Sequence, residues 1–532
     1  MMDTPLGAWL LIQNAAPHFG DVEIVSREPG GVHRTTFAAT IARAHQLMHA
    51  LDGLGLAAGD RVATLAWNHH RHLECYLAVP CTGRVLHTLN VRLSDEDLAY
   101  IIDHADDRVI IADVDQLPLL ERLGPALARV RHVVVLGEVP AGSRLPGLVA
   151  YEDLIAGQPT RYPPRDLPET TPLGLCYTSG TTGRPKGVVY THRSMFLHAL
   201  AATSAACAAI GPGDAVLPIV PMFHANAWGL PHAAILAGAK LVLAGRDADP
   251  AGLIELMAAE RVTVTAGVPT IWFGVGDELT RRGARLPDLR RILIGGAQPP
   301  TSLIERFARD HGVQIHQVWG MTETSPLASV AWPKHAMRDW PADRLTRGVW
   351  SQAGLPLPGV AVSVRGPDGA ETPRDGKTMG DLCVKGPWIA SGYYRGEGAD
   401  AFTADGWFRT GDVAIASPDG YFVIGDRTKD LIKSGGEWIS SVDMERALMA
   451  LPEVAEAAVI AIPDPKWQER PLACVVVRPG ATLTIEGVRA HLRAHGFAAW
   501  QLPDRVELID AVPRTSVGKF DKKVLRARFA AG

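Results

Sequence analysis

The sequence predicts an α/β protein with a large amino-terminal domain of doubly covered, mostly parallel sheets, a β-rich subdomain, and a small α+β carboxy-terminal domain. Three observations predict it. Through the first 320 residues, short β-branched runs alternate with longer helical patterns, as in sheets covered on both faces. After residue 350, Gly and Pro become frequent and short β-like segments dominate. The chain has 532 residues, too many for one ordinary core.

Taken in order, the first strand candidates are Arg61–Ala66, Val109–Ala112 and His132–Leu136. The apolar run Leu173–Cys176 leads into a Gly- and Thr-rich loop. Ser194–Gly211 is Ala-rich and carries Ser, Thr and His. It reads as a buried helix, because a membrane span needs a longer unbroken apolar run. Val216–Val220, Lys240–Ala244, Val262–Thr265 and Arg291–Ile294 are the next strand candidates. Ligands in such folds sit beyond the carboxyl ends of the strands. The loop at Thr178 and the pair Gly295-Gly296 both occupy such places.

Beyond residue 350 the strand candidates are Ala361–Val364, Asp381–Lys385 and Tyr421–Ile424. The charged cluster Asp426-Arg427-Thr428-Lys429-Asp430 follows, between two apolar segments. The helix Val442–Leu451, the strands Ala457–Ile462 and Cys474–Val477, the helix Ile485–Ala494 and the basic tail Lys522–Arg528 suit a small α+β domain. The expected division is 1–426 and 427–532.

Composition excludes several classes. Hydrophobic residues make up 47% and charged residues 21%, ordinary for a soluble globular chain. A net charge of −4 gives no basic excess for nucleic acid. No basic segment precedes the short apolar run Ala8–Ile12, so no secretory signal is expected. The six cysteines form no CxxC pair. Reduced thiols and a cytoplasmic location follow as expectations, with no integral membrane segment.

The most informative stretch is Tyr177-Thr178-Ser179-Gly180-Thr181-Thr182-Gly183-Arg184-Pro185-Lys186-Gly187-Val188. It holds three glycines, four Ser/Thr hydroxyls and one lysine. Gly lets backbone N–H groups approach a ligand, and successive inward N–H groups form a nest for anionic oxygens. Hydroxyls add rotatable donors and Lys186 adds charge. A polyphosphate suits this chemistry. The loop is not a Walker motif, in which Gly precedes Lys and Ser or Thr follows it; here Pro185 precedes Lys186 and Gly187 follows.

The loop resembles the phosphate-binding signature of the adenylate-forming (AMP-binding) superfamily, which includes acyl-CoA synthetases, luciferases and peptide-synthetase adenylation domains. Further segments resemble that family in the same order. Pro221-Met222-Phe223-His224-Ala225-Asn226-Ala227-Trp228 is similar to the acyl-site segment. Gly295-Gly296-Ala297 and Trp319-Gly320-Met321-Thr322-Glu323-Thr324 are similar to the adenine segments. Trp407-Phe408-Arg409-Thr410-Gly411-Asp412 is similar to the ribose segment, and Pro513-Arg514-Thr515-Ser516-Val517-Gly518-Lys519 to the segment carrying the catalytic lysine. Trp438-Ile439-Ser440-Ser441 resembles fatty-acyl-CoA synthetases and methylthiopropionyl-CoA ligases.

The resemblance implies roles residue by residue. Thr178, Ser179, Gly180, Thr181, Thr182, Gly183 and Lys186 would hold the phosphates of ATP, with Thr178 and Glu323 flanking Mg²⁺. Hydroxyl and carboxylate are suitable hard oxygen ligands. Gly296, Ala297, Gln298, Gln317, Trp319, Gly320 and Thr322 would line the adenine site; Asp412 and Arg427 would serve the ribose. Trp319 stands where many relatives carry Tyr, so it can stack but supplies no phenolic hydrogen bond. Lys519 would bridge the attacking carboxylate and the α-phosphate. His224, Trp228, Thr270, Gly296 and Gly320 would surround the acyl group. On a helix, Trp228 would share a face with His224 four residues earlier. His224 would position the carboxylate, which needs no base near pH 7.

The resemblance also implies a mobile carboxy-terminal domain hinged near Lys429, which exchanges Lys519 for a CoA channel lined by Lys433, Gly435, Gly436 and Trp438. Lys433 would assist thioester formation. The expected activity is ATP-dependent acid:CoA ligation by a homodimer. Medium- or long-chain fatty acids lead as substrates, with 3-methylthiopropionate as the runner-up. A stand-alone enzyme loading a carrier protein and a non-catalytic nucleotide-binding regulator stay open as alternatives.

Overall fold

A computed structural model describes residues 2–178, 184–246, 249–427, 429–434, 437–515 and 520–529, apart from the side chain of Glu437. The chain forms two compact units, Met1–Ala361 with Lys385–Phe402, and Val362–Val384 with Thr403–Gly532.

The first unit holds two large sheets. In one, the strands run Leu355–Pro356, Leu327–Val330, Gln314–Gly320, Arg291–Ile294, Val264–Gly267, Ala215–Pro218, Lys240–Leu243, Glu23–Glu28 and Gly31–Thr36. The six from Gln314–Gly320 to Glu23–Glu28 are mutually parallel, and antiparallel strands close both edges. The other sheet runs Val149–Ala150, His132–Leu136, Asp107–Asp113, Arg61–Leu65, Val85–Thr88, Pro172–Tyr177 and Gly187–Thr191. Only its last pair is antiparallel. The inner strands, such as Arg61–Leu65, Val85–Thr88, Ala215–Pro218, Val264–Gly267 and Arg291–Ile294, are short and buried along nearly their whole length, as sheets covered on both faces require. One core gathers Leu217, Ile292 and Ile294 around the buried Trp272, whose ring meets Phe307 edge-on at 5.9 Å between centroids.

The second unit holds an antiparallel sheet of Ala361–Arg365, Met379–Lys385, Phe408–Ala416 and Phe422–Arg427. A second sheet contains Glu437–Ile439, Ile432–Ser434, Gln468–Val477 and Val454–Asp464, with Arg505–Leu508 parallel to Gln468–Val477. Alternation along Val454–Asp464 builds two cores. Ala457 and Val459 face Met444, Leu448, Val488 and Leu492 of the helices Ser441–Leu448 and Ile485–Ala494. Ala458 and Ile460 face Leu525 and Phe529 of the helix Lys522–Phe529.

The strand candidates recur within a few residues of their expected bounds. The expected helix Ser194–Gly211 is shorter, His192–Thr203. It stops because Thr203 and Ser204 donate their hydroxyls to the carbonyls of Leu200 and Ala201, at 2.8 and 2.7 Å. Such local bonds compete with continuation of the helix. No helix among the described residues is long and apolar enough to cross a membrane.

Buried imidazoles give the fold a pH signature. Burial pushes His72, His232 and His316 down to about 4, and His198 to about 3. In the unfolded chain these rings titrate near 6.5. Above that value their contribution is complete. Below it the unfolded chain binds protons that the folded chain refuses, so stability falls by up to about 1.4 kcal/mol per pH unit for each ring. The urea midpoint is expected to drop between about pH 6.5 and about pH 4.5. A flat midpoint over that range would contradict this account.

Candidate active site

In the first unit, strand ends gather the expected nucleotide segments. Ile294 pairs with Gln317 in parallel register, so Gly295 leaves its strand beside Val318, while the neighbouring strand runs on to Gly320. Gln298 donates to the carbonyl of Ser351 at 2.5 Å. Gln317, with its amide nitrogen turned inward, reaches the same carbonyl at 2.7 Å. Trp319 is buried, and Gly320 ends its strand. Thr322–Thr324 form a buried turn that places Glu323, 5% exposed. Gly296 and Ala297 are exposed.

Ser179, Gly180, Thr181, Thr182 and Gly183 lie outside the described residues. The two ends of their loop are joined. The Thr178 N–H donates to the Lys186 carbonyl at 2.9 Å, and the Lys186 N–H donates to the Thr178 hydroxyl at 3.0 Å. The hairpin docks on the Thr322–Thr324 turn through the Tyr190 hydroxyl, which donates to the Thr322 carbonyl at 2.8 Å. Lys186 Nζ stands 5.0 Å from the centre of the Tyr393 ring, whose hydroxyl donates to Glu323 Oε1 at 2.6 Å. Thr178 and Glu323 offer hard oxygens of the kind that Mg²⁺ takes.

The acyl-site segment departs from the expected helix. Ala225, Asn226, Ala227 and Trp228 have φ of 43°, 54°, 49° and 55°, so they form a left-handed turn. Trp228 therefore does not share a right-handed helical face with His224, which is extended at φ −109° and ψ 109° and half-buried. Each such residue costs about 1–2 kcal/mol, and buried partners hold the turn in place. The Cys176 thiol, pushed up to about 11 by burial, donates to the Asn226 side-chain oxygen at 3.1 Å. Tyr76 donates its hydroxyl to the Met222 carbonyl. The turn sets Trp228 against Gly295 and Val318: a Cβ on Gly295 would stand 2.9 Å from Trp228 Cη2 and 2.8 Å from Val318 Cγ2. Thr270 is exposed at the start of the helix Pro269–Arg282.

In the second unit, Asp412 is buried and Arg427 pairs with it at 2.7 Å. Lys433 is exposed, with its Nζ 5.3 Å from the Trp438 ring centre, and Trp438 is 46% exposed. Gly435, Gly436 and Lys519 lie outside the described residues. Lys429 is exposed. On either side of Lys429 the chain is stapled to one buried network. Asp426 accepts from the backbone and hydroxyl of Ser441, both at 2.6 Å. Lys522 Nζ reaches the Ser441 hydroxyl at 2.5 Å and Glu445 at 2.7 Å. Burial pushes the Glu445 and Asp426 carboxyls up. For Lys522, burial works against the charge, but Glu445 and Asp426 prevail and its pKa is raised.

A family model described as AMP-binding enzyme matches residues 12–394, and one described as AMP-binding enzyme C-terminal domain matches 443–519. The chain belongs to the AMP-binding enzyme family. It is 50% identical over 533 residues to a long-chain-fatty-acid–CoA ligase of Thermus thermophilus, covering 99% of this chain and 96% of that protein. It is 43% identical over 535 residues to a 3-methylmercaptopropionyl-CoA ligase of Ruegeria pomeroyi, covering 99% and 98%. The fold matches a crystal structure of the anthranilate CoA ligase AuaEII in complex with anthranoyl-AMP, with a TM-score of 0.89, 24% identity, and 99% and 98% of the two chains covered.

Three residues that bond to these segments escaped the sequence reading. Ser351 acts through its carbonyl, which no side-chain pattern signals. Tyr190 sits in a strand, where an aromatic residue reads as core. Tyr393 lies in the pair Tyr393-Tyr394 inside a Gly-rich stretch, a weak but visible signal. The left-handed turn makes a stability prediction. Ala227→Gly should raise stability by about 0.5–1 kcal/mol, because Gly adopts positive φ without a Cβ penalty but loses more backbone entropy on folding. A urea midpoint at or below that of the parent would contradict the strain.

Proposed function

We propose that this AMP-binding enzyme is an ATP-dependent acid:CoA ligase acting on a medium- or long-chain fatty acid. The observation that carries the reading is the convergence in the first unit of the Thr178–Lys186 hairpin, the adenine segment with Glu323, and Trp228 packed on Gly295. A carboxylate oxygen of the acid attacks the α-phosphorus of ATP, and the bond from that phosphorus to the pyrophosphate oxygen breaks. Both partners are anionic, so fixed donors and cations must be in place beforehand. Lys186 and the loop hold the departing phosphates, and Lys519 neutralises charge between carboxylate and α-phosphate. Thr178 and Glu323 would hold Mg²⁺, which supplies positive charge to the phosphates when bound. In the second step the CoA sulfur attacks the acyl carbon, and AMP leaves.

Lys519 and Lys433 act in different steps under this proposal, with the chain pivoting near Lys429 between 1–426 and 427–532. Arg427, paired with Asp412, serves the ribose. His224 positions the carboxylate, Trp228 walls the acyl site, and Lys433 with Trp438 borders the path of the thiol. A cytoplasmic homodimer completes the reading. Six buried free cysteines suit a reducing compartment, and light scattering tests the dimer. The second reading, a ligase for 3-methylthiopropionate, is favoured by the Ruegeria relative. Ligation rates over acids of graded length, including that one, separate the two.

AMP and pyrophosphate are the expected products, and their replacement by ADP and phosphate would end the ligase reading. Lys519→Ala is expected to slow adenylate formation by about 10²-fold or more, while thioester formation from supplied acyl-AMP stays near the parent rate. Lys433→Ala should do the reverse. Single-turnover assays of each half-reaction decide this; equal slowing of both steps by both variants would remove the two-step division of labour.

A further inference from the structure

Two oppositely charged side chains of the first unit, Lys186 and Glu323, flank the ring of Tyr393. Under the ligase reading, Lys186 would serve phosphate and Glu323 a cation. Left in contact, an ammonium and a carboxylate pair with each other and are lost to both partners. One side chain stands between them. The Tyr393 hydroxyl donates to Glu323 Oε1 at 2.6 Å, and the face of the same ring takes Lys186 Nζ at 5.0 Å. The first is a charge-assisted bond that fixes the carboxylate's orientation. The second is a cation–π contact that orients the ammonium without neutralising it.

The surroundings fix Tyr393 from several sides. The Ala390 N–H donates to the Glu323 carbonyl at 2.8 Å, tying the two segments together. The ring of Phe402 lies 6.0 Å away. Gly398, at φ +57°, leaves the space that the pair needs: a Cβ there would stand 2.9 Å from both Lys186 Nζ and Tyr393 Cδ2.

We propose that Tyr393 is a positioning residue of adenylate formation, keeping Lys186 available to phosphate and Glu323 available to a divalent cation. The proposal rests on the ligase reading above. It adds a role for a side chain that acts through Lys186 and Glu323.

Tyr393→Phe is the test, since it keeps the ring under Lys186 and removes only the hydroxyl. Three quantities are compared with the parent: the dissociation constant of Mn²⁺·ATP measured by calorimetry without acid, the single-turnover rates of both half-reactions, and the melting temperature. Loss of one charge-assisted hydrogen bond predicts Mn²⁺·ATP binding weakened about tenfold and adenylate formation slowed about tenfold or more. Thioester formation from supplied acyl-AMP should keep its rate, and the melting temperature should hold. Gly398→Ala, which presses on Lys186 and Tyr393 from the other side, should weaken Mn²⁺·ATP in the same direction and decides the matter if Tyr393→Phe melts early. Parent-like Mn²⁺·ATP binding and adenylate rates in a folded Tyr393→Phe would overturn the role. ATP–pyrophosphate exchange by the parent is the control: its absence would sink the ligase reading, whereas an active parent with an indifferent Tyr393→Phe sinks only the positioning role.

Discussion

The parallel hydrogen-bond register between Arg291–Ile294 and Gln314–Gly320 is the constraint on which the nucleotide side of the first unit depends. With Ile294 opposite Gln317, Gly295 leaves its strand beside Val318 while the neighbouring strand continues to Gly320. Gln298 and Gln317 can then reach a single carbonyl, that of Ser351. A slip of one residue would turn every side chain of a strand to the opposite face. The buried turn at Glu323 and the Tyr190 bond to Thr322 both inherit their positions from this register. Precision at the site is therefore a property of buried backbone bonds, with side chains added to a frame already in place.

The segment after His224 is built in the opposite way. The left-handed turn at Ala225–Trp228 is locally unfavourable. It persists because neighbours already paid in place elsewhere over-determine it: the Cys176 thiol on Asn226, the Tyr76 hydroxyl on Met222, and Trp228 packed against Gly295. Strain of this kind collects at functional sites. One part of the unit is thus rigid through register and another is held against its own preference by tertiary contacts.

This contrast explains what the sequence disclosed. Strands such as Arg291–Ile294 and His132–Leu136 were legible because β-branched runs bounded by polar residues carry a local signal. The edge strand Gly31–Thr36 was not, because most of its residues are exposed and polar. The loop after Thr178, Glu323 and Asp412 were singled out from motifs, and the structure buries Glu323 and Asp412. Tyr393 and Ser351 were not, since one looks like packing and the other contributes only its backbone. The turn at Trp228 could not be read at all. Ala, Asn, Ala and Trp have no preference for positive φ as a group, and only their partners, distant in the chain, impose it.

The buried network around Lys522 bears on how the protein can be divided. Asp426 lies before Lys429 in the chain, yet it is bonded to Ser441, and through Ser441 to Lys522, both of which lie after it. A fragment starting just past Asp426 would retain a buried ammonium stripped of one counter-charge, a costly vacancy in a dry interior. The second unit instead extends back to Thr403 and includes Val362–Val384. For anyone grafting this terminal portion onto another protein, the natural seam lies upstream of Asp426, and the charged staple should travel with the graft.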